Sequence, residues 1–268
     1  MSTQPRHNLT SALKRLLIWV LILLAWEGAY HLIGWRDYVF PAPSHVIHAL
    51  VAMLKPLPGT SFYQSPLISA ILVSTARLAI GFVISIAIGG TLGILMWRFP
   101  SFDQFLGPLL LGLQTLPSVC WVPLGLIFFG LDEGGVMFVL VMGSFSAIAI
   151  ALRDGLRTMP PLYRRAGLML GATGWKLYRY VLLPASLPAF ATSLRQGFSF
   201  AWRSLLGAEM LLAVARQGLG LQLENSRSIG GPPDVVALMV VMILIGMLAD
   251  RWVFAKLQQA VNARFGLG

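Results

Sequence analysis

The residues of this sequence most able to do chemistry are a few ionisable side chains inside long apolar segments. They are Glu27, Arg195, Arg203 and Glu209. An ionisable group at membrane depth costs roughly 2.5–3.5 kcal/mol on insertion scales, so each of these needs a partner or water. We expect them to face the interior of a helix bundle, with Arg195 or Arg203 paired to an acid such as Glu27 or Glu209.

The apolar segment from Pro188 to Val214 holds most of these groups. Arg195, Trp202 and Glu209 are seven residues apart and therefore share one helical face, from which Ser199 and Arg203 are turned somewhat. These five residues are our candidates for lining a translocation path. Two interpretations stay open for each arginine: pairing that serves structure alone, or contact with an anionic solute.

Motifs of enzymatic chemistry are missing from the sequence. It contains no GxxxxGK[ST] phosphate loop, no HExxH metal pair and no GxSxG nucleophile elbow. Its one cysteine, Cys120, allows no disulfide framework and no thiolate-clustered metal within the chain. We therefore expect no catalytic residues, no metal and no cofactor held by this chain alone. Glu27 and His31 are four residues apart, which fits a structural pair better than a proton relay.

Composition indicates a membrane protein. Of 268 residues, 57% are hydrophobic and 11% are charged, against about 25% charged in an average soluble domain, and the mean hydropathy is +0.76. A net charge of +10 in such a chain indicates membrane topology and contact with the lipid bilayer, not binding of nucleic acid. The expected fold is all-α: one polytopic membrane domain over residues 1–268, because no repeat or linker divides the chain.

Six apolar stretches are long enough to be membrane spans. The second stretch begins near Ile68 and carries Arg77, so we expect it to start as an interfacial or protein-facing segment before it crosses. The third contains Pro117 and Pro123 and is predicted to be a broken helix. The predicted spans are 16–34, 79–97, 105–130, 134–152, 188–214 and 235–253.

The distribution of positive charge predicts the orientation of these spans. With the N-terminus inside, thirteen of the 20 lysines and arginines fall on the cytoplasmic side, four fall outside and three fall within spans. Short loops rich in lysine and arginine resist translocation. Both termini are therefore predicted to be cytoplasmic.

The outer loop between the first two spans contains one helical pattern. Ser44 is a plausible N-cap, and apolar residues follow it at helical spacing as far as Leu54. We expect a short helix lying on the membrane surface.

The longest cytoplasmic loop, 153–187, is basic and also patterned. Apolar residues recur at helical spacing on both sides of Gly171 and Ala172, which predicts two short amphipathic helices bent at glycine. Pro184 is expected to stop the second helix, and Pro188 to open the next span. Such a pair can insert into a groove of a partner protein. The alternative is a loop that only fixes topology and touches lipid headgroups.

The pattern of this loop resembles a known motif. Ala166, Gly171 and Ala172, followed by Leu183 and Pro184, are similar to the EAA loop of binding-protein-dependent ABC importer permeases. Further blocks narrow the resemblance to the nitrate/sulfonate/taurine type and extend it over most of the chain: Trp26-Glu27, VFPAPSHV from Val39, AWRSLLGAEML from Ala201, GLGLQLENSRS from Gly218 and MLADRWV from Met247.

The resemblance implies a type I importer permease of a bacterial-type inner membrane. Such a subunit is usually duplicated, here expected as a homodimer, on cytoplasmic ATPase subunits that hold ATP and magnesium. It receives its substrate from an extracytoplasmic solute-binding protein. In the family the loop, here residues 160–183, couples to the ATPase. Ala166, Gly171, Leu183 and Pro184 match that motif, whereas Arg165 stands at the position of its leading glutamate and Gly167 at that of its second alanine.

The family's substrates are often small anions such as nitrate or sulfonates, although some members import uncharged or cationic compounds.

Two further classes of protein compete with this interpretation. A secondary transporter or channel that works without ATP would instead use charges such as Glu27 and Glu209 for ion coupling. An intramembrane hydrolase is disfavoured, because no paired carboxylates and no Ser/His pair fall at matched depths.

Overall fold

The computed structural model describes residues 6–37, 39–56, 58–59 and 61–264, and this part of the chain is helical without a strand. The predicted all-α fold is confirmed. Residues 1–5 and 265–268 lie outside the described residues, and the cytoplasmic location predicted for both chain ends stays a prediction. The helices are α1 Arg6–Ile33, α2 Pro43–Leu54, α3 Pro66–Arg98, α4 Pro100–Thr115, α5 Val122–Phe129, α6 Glu133–Arg157, α7 Pro161–Met169, α8 Gly174–Leu177, α9 Leu183–Ala185, α10 Leu187–Leu211, α11 Leu219–Ile229, α12 Pro232–Ala249 and α13 Ala255–Arg264.

Shorter helical turns join some of these elements. Phe62–Gln64 and Ser118–Trp121 are 3₁₀ turns, while Tyr178–Leu182 and Asp250–Phe254 are π-helical. The second π segment joins α12 to α13 without interruption, so that one helical path runs from Pro232 to Ala263.

Three helical paths among the described residues are long and apolar enough to cross a membrane: α3, α6 and the path that starts with α12. The bent pair of α4 and α5 can form a fourth. The predicted span 16–34 coincides with Leu17–Ile33, the apolar part of α1. The predicted span 188–214 coincides with α10, which has 25 residues but carries Arg195, Arg203 and Glu209.

The bend in the third predicted span is a sharp one. The axis turns by 103° between α4 and the segment Ser118–Phe129. Pro117 lies at this turn and accepts a hydrogen bond from Cys120 N (2.9 Å), whereas Pro123 lies in the first turn of α5, where a missing N–H costs nothing. The predicted broken helix is confirmed, and the break belongs to Pro117 alone.

The chain divides into two compact units, Met1–Ile68 with Gln222–Val241 and Ser69–Leu221 with Met242–Gly268. The boundaries fall inside α3, α11 and α12 and not in a linker. The single domain predicted from the sequence stays a prediction.

Helix α6 is the centre of the larger unit. Its apolar window is 67% buried, against 33% for α3. Glycines allow the close packing: a Cβ at Gly93 of α3 would lie 2.8 Å from the Ala149 carbonyl oxygen, and a Cβ at Gly155 of α6 would lie 2.6 Å from the Ala189 Cβ of α10. These contacts place the end of α3, the end of α6 and the start of α10 together.

In the smaller unit, α1 and α2 are joined through Glu27. Its carboxylate accepts hydrogen bonds from Ser44 N (3.1 Å) and Ser44 Oγ (2.8 Å), and His31 Nε2 lies 3.3 Å away. The prediction that Ser44 caps α2 is wrong, because Pro43 already begins the helix and Ala42 is its N-cap. The predicted pairing of Glu27 with Arg195 or Arg203 stays a prediction.

Candidate functional site

The loop between α6 and α10 folds into a helical hairpin of α7 and α8. After α7, the backbone turns at Gly171, whose φ is +79°. Gly171 N donates to the Leu168 carbonyl (3.0 Å) and Ala172 N donates to the Gly167 carbonyl (2.9 Å), which together make a Schellman motif. A residue with a Cβ is strained at this φ. The predicted glycine bend is therefore confirmed, and Gly171 is required for it.

The two arms of the hairpin are packed together at Gly167. A Cβ at this position would lie 2.6 Å from Leu177 Cδ1 and 3.1 Å from Val181 Cγ2. Gly167 is buried, whereas its neighbours Arg165 and Ala166 are exposed. Glycine at the position of the motif's second alanine thus lets α7 approach the segment that follows it.

The helical path does not end at Pro184, and the prediction that it would is wrong. Leu183 N donates to the Tyr178 carbonyl, which closes the π segment, and Pro184 then lies in the first turn of α9, where no N–H is needed. Ser186 N donates to the Leu182 carbonyl (2.9 Å). Pro188 opens α10 as predicted. Helical structure therefore runs almost without a break from α8 into α10.

The tip of the hairpin exposes large apolar side chains. Met169 is 88% exposed, Leu170 87% and Trp175 78%. Clustered apolar exposure of this kind marks an interaction surface. Arg164 and Arg165 are exposed on the same hairpin and add positive charge to it.

An ion-pair cluster fixes the helix ends beneath the hairpin. Asp103 of α4 accepts from Arg153 Nη1 (3.0 Å) and from Arg157 Nη2 (2.7 Å), both near the end of α6. Arg153 also donates from Nε to Asp154 (2.8 Å). The hairpin thus starts from a helix end that is held in place.

A second cluster surrounds Glu209, which has no exposed surface. Its carboxylate accepts hydrogen bonds from Ser74 Oγ (2.7 Å), Arg77 Nη1 (2.8 Å) and Gly220 N (3.1 Å). Arg77 also donates to both carboxylate oxygens of Glu133 (2.7 Å each). Glu209 is therefore the core of a bridge between α3, α6 and α10, and in this structure it does not border open space.

Two glycines allow the chain to close over this cluster. A Cβ at Gly218 would overlap the Glu209 carboxylate, and a Cβ at Gly220 would lie 2.7 Å from Glu209 Cβ. Leu219 N, between them, donates to Ser74 Oγ (2.8 Å). The GLGL sequence therefore serves the close approach of backbone to carboxylate.

The predicted pairing of Arg195 with an acid is confirmed, and the acid is Asp250 and not Glu209. Arg195 Nε and Nη2 donate to the two Asp250 oxygens at 2.6 and 2.7 Å. Trp202, on the same face of α10 and seven residues further along, is buried. A Cβ at Gly246 would lie 3.1 Å from Trp202 Nε1. Arg195, Trp202 and Glu209 share one face as predicted, and that face makes contacts inside the larger unit.

Arg203 and Ser199 lie on the exposed side of α10. Arg203 Nε donates to the Ser199 carbonyl (3.0 Å), its guanidinium lies 4.8 Å from the centre of the Phe200 ring, and no acidic partner is found among the described residues. A cavity of about 260 Å³ opens beside it at the α4–α5 bend. Its polar lining residues are Gln114, Thr115, Ser118, Arg203 and Ser204.

The five path candidates thus fall into two groups. Arg195, Trp202 and Glu209 are held by contacts within the larger unit, while Ser199 and Arg203 are exposed. A role for any of the five in a translocation path stays a prediction. The partners Ser74, Glu133 and Asp250 were missed, although an arginine within a span, such as Arg77, signals that an acid must be near. Among the described residues, no three of His, Cys, Asp and Glu converge as a metal site.

Comparison with known proteins agrees with this arrangement. Residues 81–259 match the family described as binding-protein-dependent transport system inner membrane component. A Methanocaldococcus jannaschii protein described as an ABC transporter permease is 32% identical over 231 residues, covering 86% of this chain and 84% of its own length. Since the match covers well over half of the sequence, the chain belongs to this family of ABC importer permeases.

Two further relatives transport named solutes. The formylaminopyrimidine transport permease protein ThiX of Halalkalibacterium halodurans is 27% identical and covers 94% of both chains. The taurine transport system permease protein TauC of Escherichia coli is 25% identical and covers 78% of this chain and 74% of its own. These relatives are transport permeases and not enzymes, and they confirm the family resemblance found in the sequence.

A solved structure confirms the fold. The MetNI methionine ABC transporter, in an inward-facing conformation, has a chain that superposes with a TM-score of 0.63 at 18% identity. The match covers 73% of this chain and 95% of that one. The protein is a membrane-embedded permease subunit for the import of small solutes.

Proposed function

We propose that this permease moves a small anion and is driven by a cytoplasmic ATPase that docks on the hairpin of residues 160–183. The observation that carries the proposal is the hairpin itself: an exposed apolar tip, a bend that requires Gly171, and a helical connection to α10. A loop that only fixed topology would need lysine and arginine but none of these features.

The connection to α10 gives the coupling a mechanical basis. Closure of the ATPase subunits on ATP pushes the tip formed by Met169, Leu170 and Trp175. Because α8, the π segment and α9 continue into α10, the push is transmitted to the helix that carries Arg203. Short π-helical segments within α-helices are frequent at functional sites, and we expect the connection to bend at Tyr178–Leu182.

The docking surface is unusual in its charge. Arg165 stands where the family motif has a glutamate, and its side chain is exposed beside Arg164. A positive surface is stabilised by a complementary negative one. We expect the groove of this permease's ATPase to carry a carboxylate opposite Arg165.

The surroundings of Arg203 favour an anionic substrate. Its guanidinium has no acidic partner among the described residues and borders a cavity lined by hydroxyl and amide groups. Guanidinium groups bind sulfonate-like and carboxylate-like oxygens with paired hydrogen bonds. The relative named for the transport of taurine, which carries a sulfonate group, supports this assignment. The relative named for formylaminopyrimidine transport indicates that other members of the family take a different class of solute.

The complete importer contains more than this chain. We expect a second, identical permease subunit, ATP and magnesium on the ATPase subunits, and an extracytoplasmic solute-binding protein that delivers the substrate. Both termini of the permease are on the cytoplasmic side in this arrangement.

The proposal is tested by purifying the tagged chain from its native membranes and quantifying the ATPase that accompanies it. Leu170→Ala removes a side chain of the tip that is 87% exposed, and should strongly reduce the ATPase recovered. Leu32→Ala, which changes a leucine that is 89% exposed and outside the hairpin, should leave the recovery unchanged. Recovery of the permease alone from the unaltered chain, with solute uptake in vesicles lacking ATPase, would establish the ATP-independent carrier instead.

A further inference from the structure

An open apolar groove of about 530 Å³ lies in the larger unit, where α3 and α6 end and α10 begins. Leu152 and Leu156 of α6 form its buried floor, and the exposed side chains of Ile94 and Leu183 stand at its walls. Trp97 closes one side, and we call this feature the Trp97 groove. Its lining residues include no acidic side chain.

Aromatic side chains mark the depth of the groove. Trp97 and Tyr178 both line it and meet edge to face, with ring centres 6.2 Å apart. Tryptophan and tyrosine are enriched at membrane–water interfaces, where one end of the ring is apolar and the other is wet. This aromatic pair favours a position of the groove at the level where lipid headgroups meet acyl chains.

Three arginines surround the groove without an acidic partner among the described residues. Arg179 lines it directly. The Arg98 guanidinium lies 5.8 Å from the centre of the Tyr178 ring. Arg164 lines an adjoining cavity of about 210 Å³ that shares Trp97 and Tyr178 with the groove. By contrast, Arg157, which also lines that cavity, is paired with Asp103 at 2.7 Å.

We propose that the Trp97 groove binds one anionic phospholipid, with an acyl chain along Ile94, Leu156 and Leu183 and the phosphate between Arg98 and Arg179. The apolar floor matches the chain, and the uncompensated positive rim matches the headgroup. Basic pockets between membrane helices bind lipid headgroups in this way, at about 1 kcal/mol per lysine or arginine. A protein partner could bury the same apolar floor. It would also need an acidic segment that reaches the groove at the depth of the lipid headgroups.

The position of the groove gives the bound lipid a consequence. Its lining includes the π segment and α9, which connect the hairpin to α10. This consequence rests on the coupling proposed above: a lipid held here would contact the connection that moves and the ends of α3 and α6 at once. Anionic lipid is therefore expected to stabilise one position of the hairpin.

The proposal is tested on the full chain, purified in mild detergent and titrated with phosphatidylglycerol or phosphatidylcholine, with bound lipid counted by native mass spectrometry. The unaltered chain should retain phosphatidylglycerol in preference to phosphatidylcholine. The double variant R98Q/R179Q should weaken phosphatidylglycerol binding roughly thirtyfold, since two charge contacts are lost. The matched control R251Q/K256Q removes two positive charges outside the groove and should retain the preference.

A second variant tests the apolar half. Leu187→Trp fills the groove beside Phe190 and keeps every charge, and it should displace the acyl chain while the protein still elutes as a monodisperse peak. Equal phosphatidylglycerol binding by R98Q/R179Q and the unaltered chain overturns the proposal. The proposal is also overturned if Leu187→Trp binds lipid as the unaltered chain does but loses the co-purifying ATPase. That result would assign the groove to the ATPase.

Discussion

Arg77 Nη1 lies 2.8 Å from Glu209 Oε1, although the two residues are 132 positions apart in the sequence. Both side chains are almost wholly withdrawn from solvent, with 4% and 0% of their surface exposed. The pair joins α3 to α10, and Glu133 extends the bridge to α6. Glu209 is thus a structural anchor of α10, whereas Arg203 on the same helix has no acidic partner among the described residues.

Removal of this anchor should be costly. Glu209→Ala leaves Arg77 buried with part of its charge uncompensated, which lowers the free energy of unfolding by roughly 3–5 kcal/mol. The change is measured as a lower apparent melting temperature of the tagged chain in detergent, followed by size-exclusion chromatography after heating. Glu224→Ala, which breaks an exposed pair with Arg227 (2.6 Å), should shift the melting temperature little. Equal shifts for the two variants would contradict the anchor.

The bend of the hairpin should depend on one glycine. Gly171→Ala forces a side chain into the φ region near +79°, at a cost of about 1–2 kcal/mol, and should reduce the ATPase that co-purifies with the chain. Gly90→Ala is the control, because a Cβ there meets no heavy atom within 4 Å and the residue is helical. If Gly171→Ala binds ATPase as well as Gly90→Ala does, the bend is not needed for docking.

Arg203 should affect transport without affecting assembly. A charge-assisted hydrogen bond contributes about 1.5–3 kcal/mol, so Arg203→Ala should slow uptake of an anion such as nitrate by roughly tenfold to a hundredfold. Arg203→Lys, which keeps the charge, should recover part of the rate. Uptake is measured in vesicles with binding protein and ATPase present, and Arg251→Ala serves as the control for an exposed arginine outside the cavity. Full uptake by an assembled Arg203→Ala importer would remove Arg203 from the path.

The outer connection between α1 and α2 should be sensitive to acid. Tyr30 OH donates to Asp37 (2.8 Å) and His45 Nδ1 lies 2.6 Å from the same oxygen, and these hydrogen bonds, that of Tyr30 first, lower the pKa of Asp37. A lowered pKa in the folded state stabilises the ionised form. The stabilisation is complete above the ordinary value of about 3.9 and is lost as the pH falls through the lowered value.

Hydrogen exchange of the α2 amides measures this effect. Exchange should be constant from neutral pH to about pH 4 after correction for the intrinsic rate, and should rise below it. Asp37→Asn should show the faster exchange already at neutral pH. An α2 that opens at neutral pH in the unaltered chain would contradict this role of Asp37.

Local patterns in the sequence predicted local structure well. The glycine bend at Gly171 and the break near Pro117 follow from backbone geometry, which neighbouring residues decide. Pro184 was misread because the π segment before it removes the need for its N–H, and a single proline does not reveal that register change. The capping role of Ser44 was misread for a related reason: Pro43 had already fixed the helix start.

Long-range pairs could not be predicted in the same way. Arg195 and Asp250 are separated by 55 residues, and Arg77 and Glu209 by more than twice that distance. The sequence shows that a charge within a span needs a partner, but the choice of partner is made by how α3, α10 and the helix around Asp250 pack. The helical faces were identified correctly, whereas the surfaces they contact were not.

Site-specific photocrosslinking in native membranes measures whether the hairpin tip is the surface that meets the ATPase. A photoreactive amino acid replaces Leu170, which is 87% exposed, or Ile229, which is 86% exposed and belongs to the segment predicted to lie outside. Position 170 should give a crosslinked product that contains an ATPase with a GxxxxGK[ST] motif, and position 229 should give no such product. An ATPase crosslinked only from position 229, or from neither position in a membrane that supports uptake, would rule out docking at the hairpin tip.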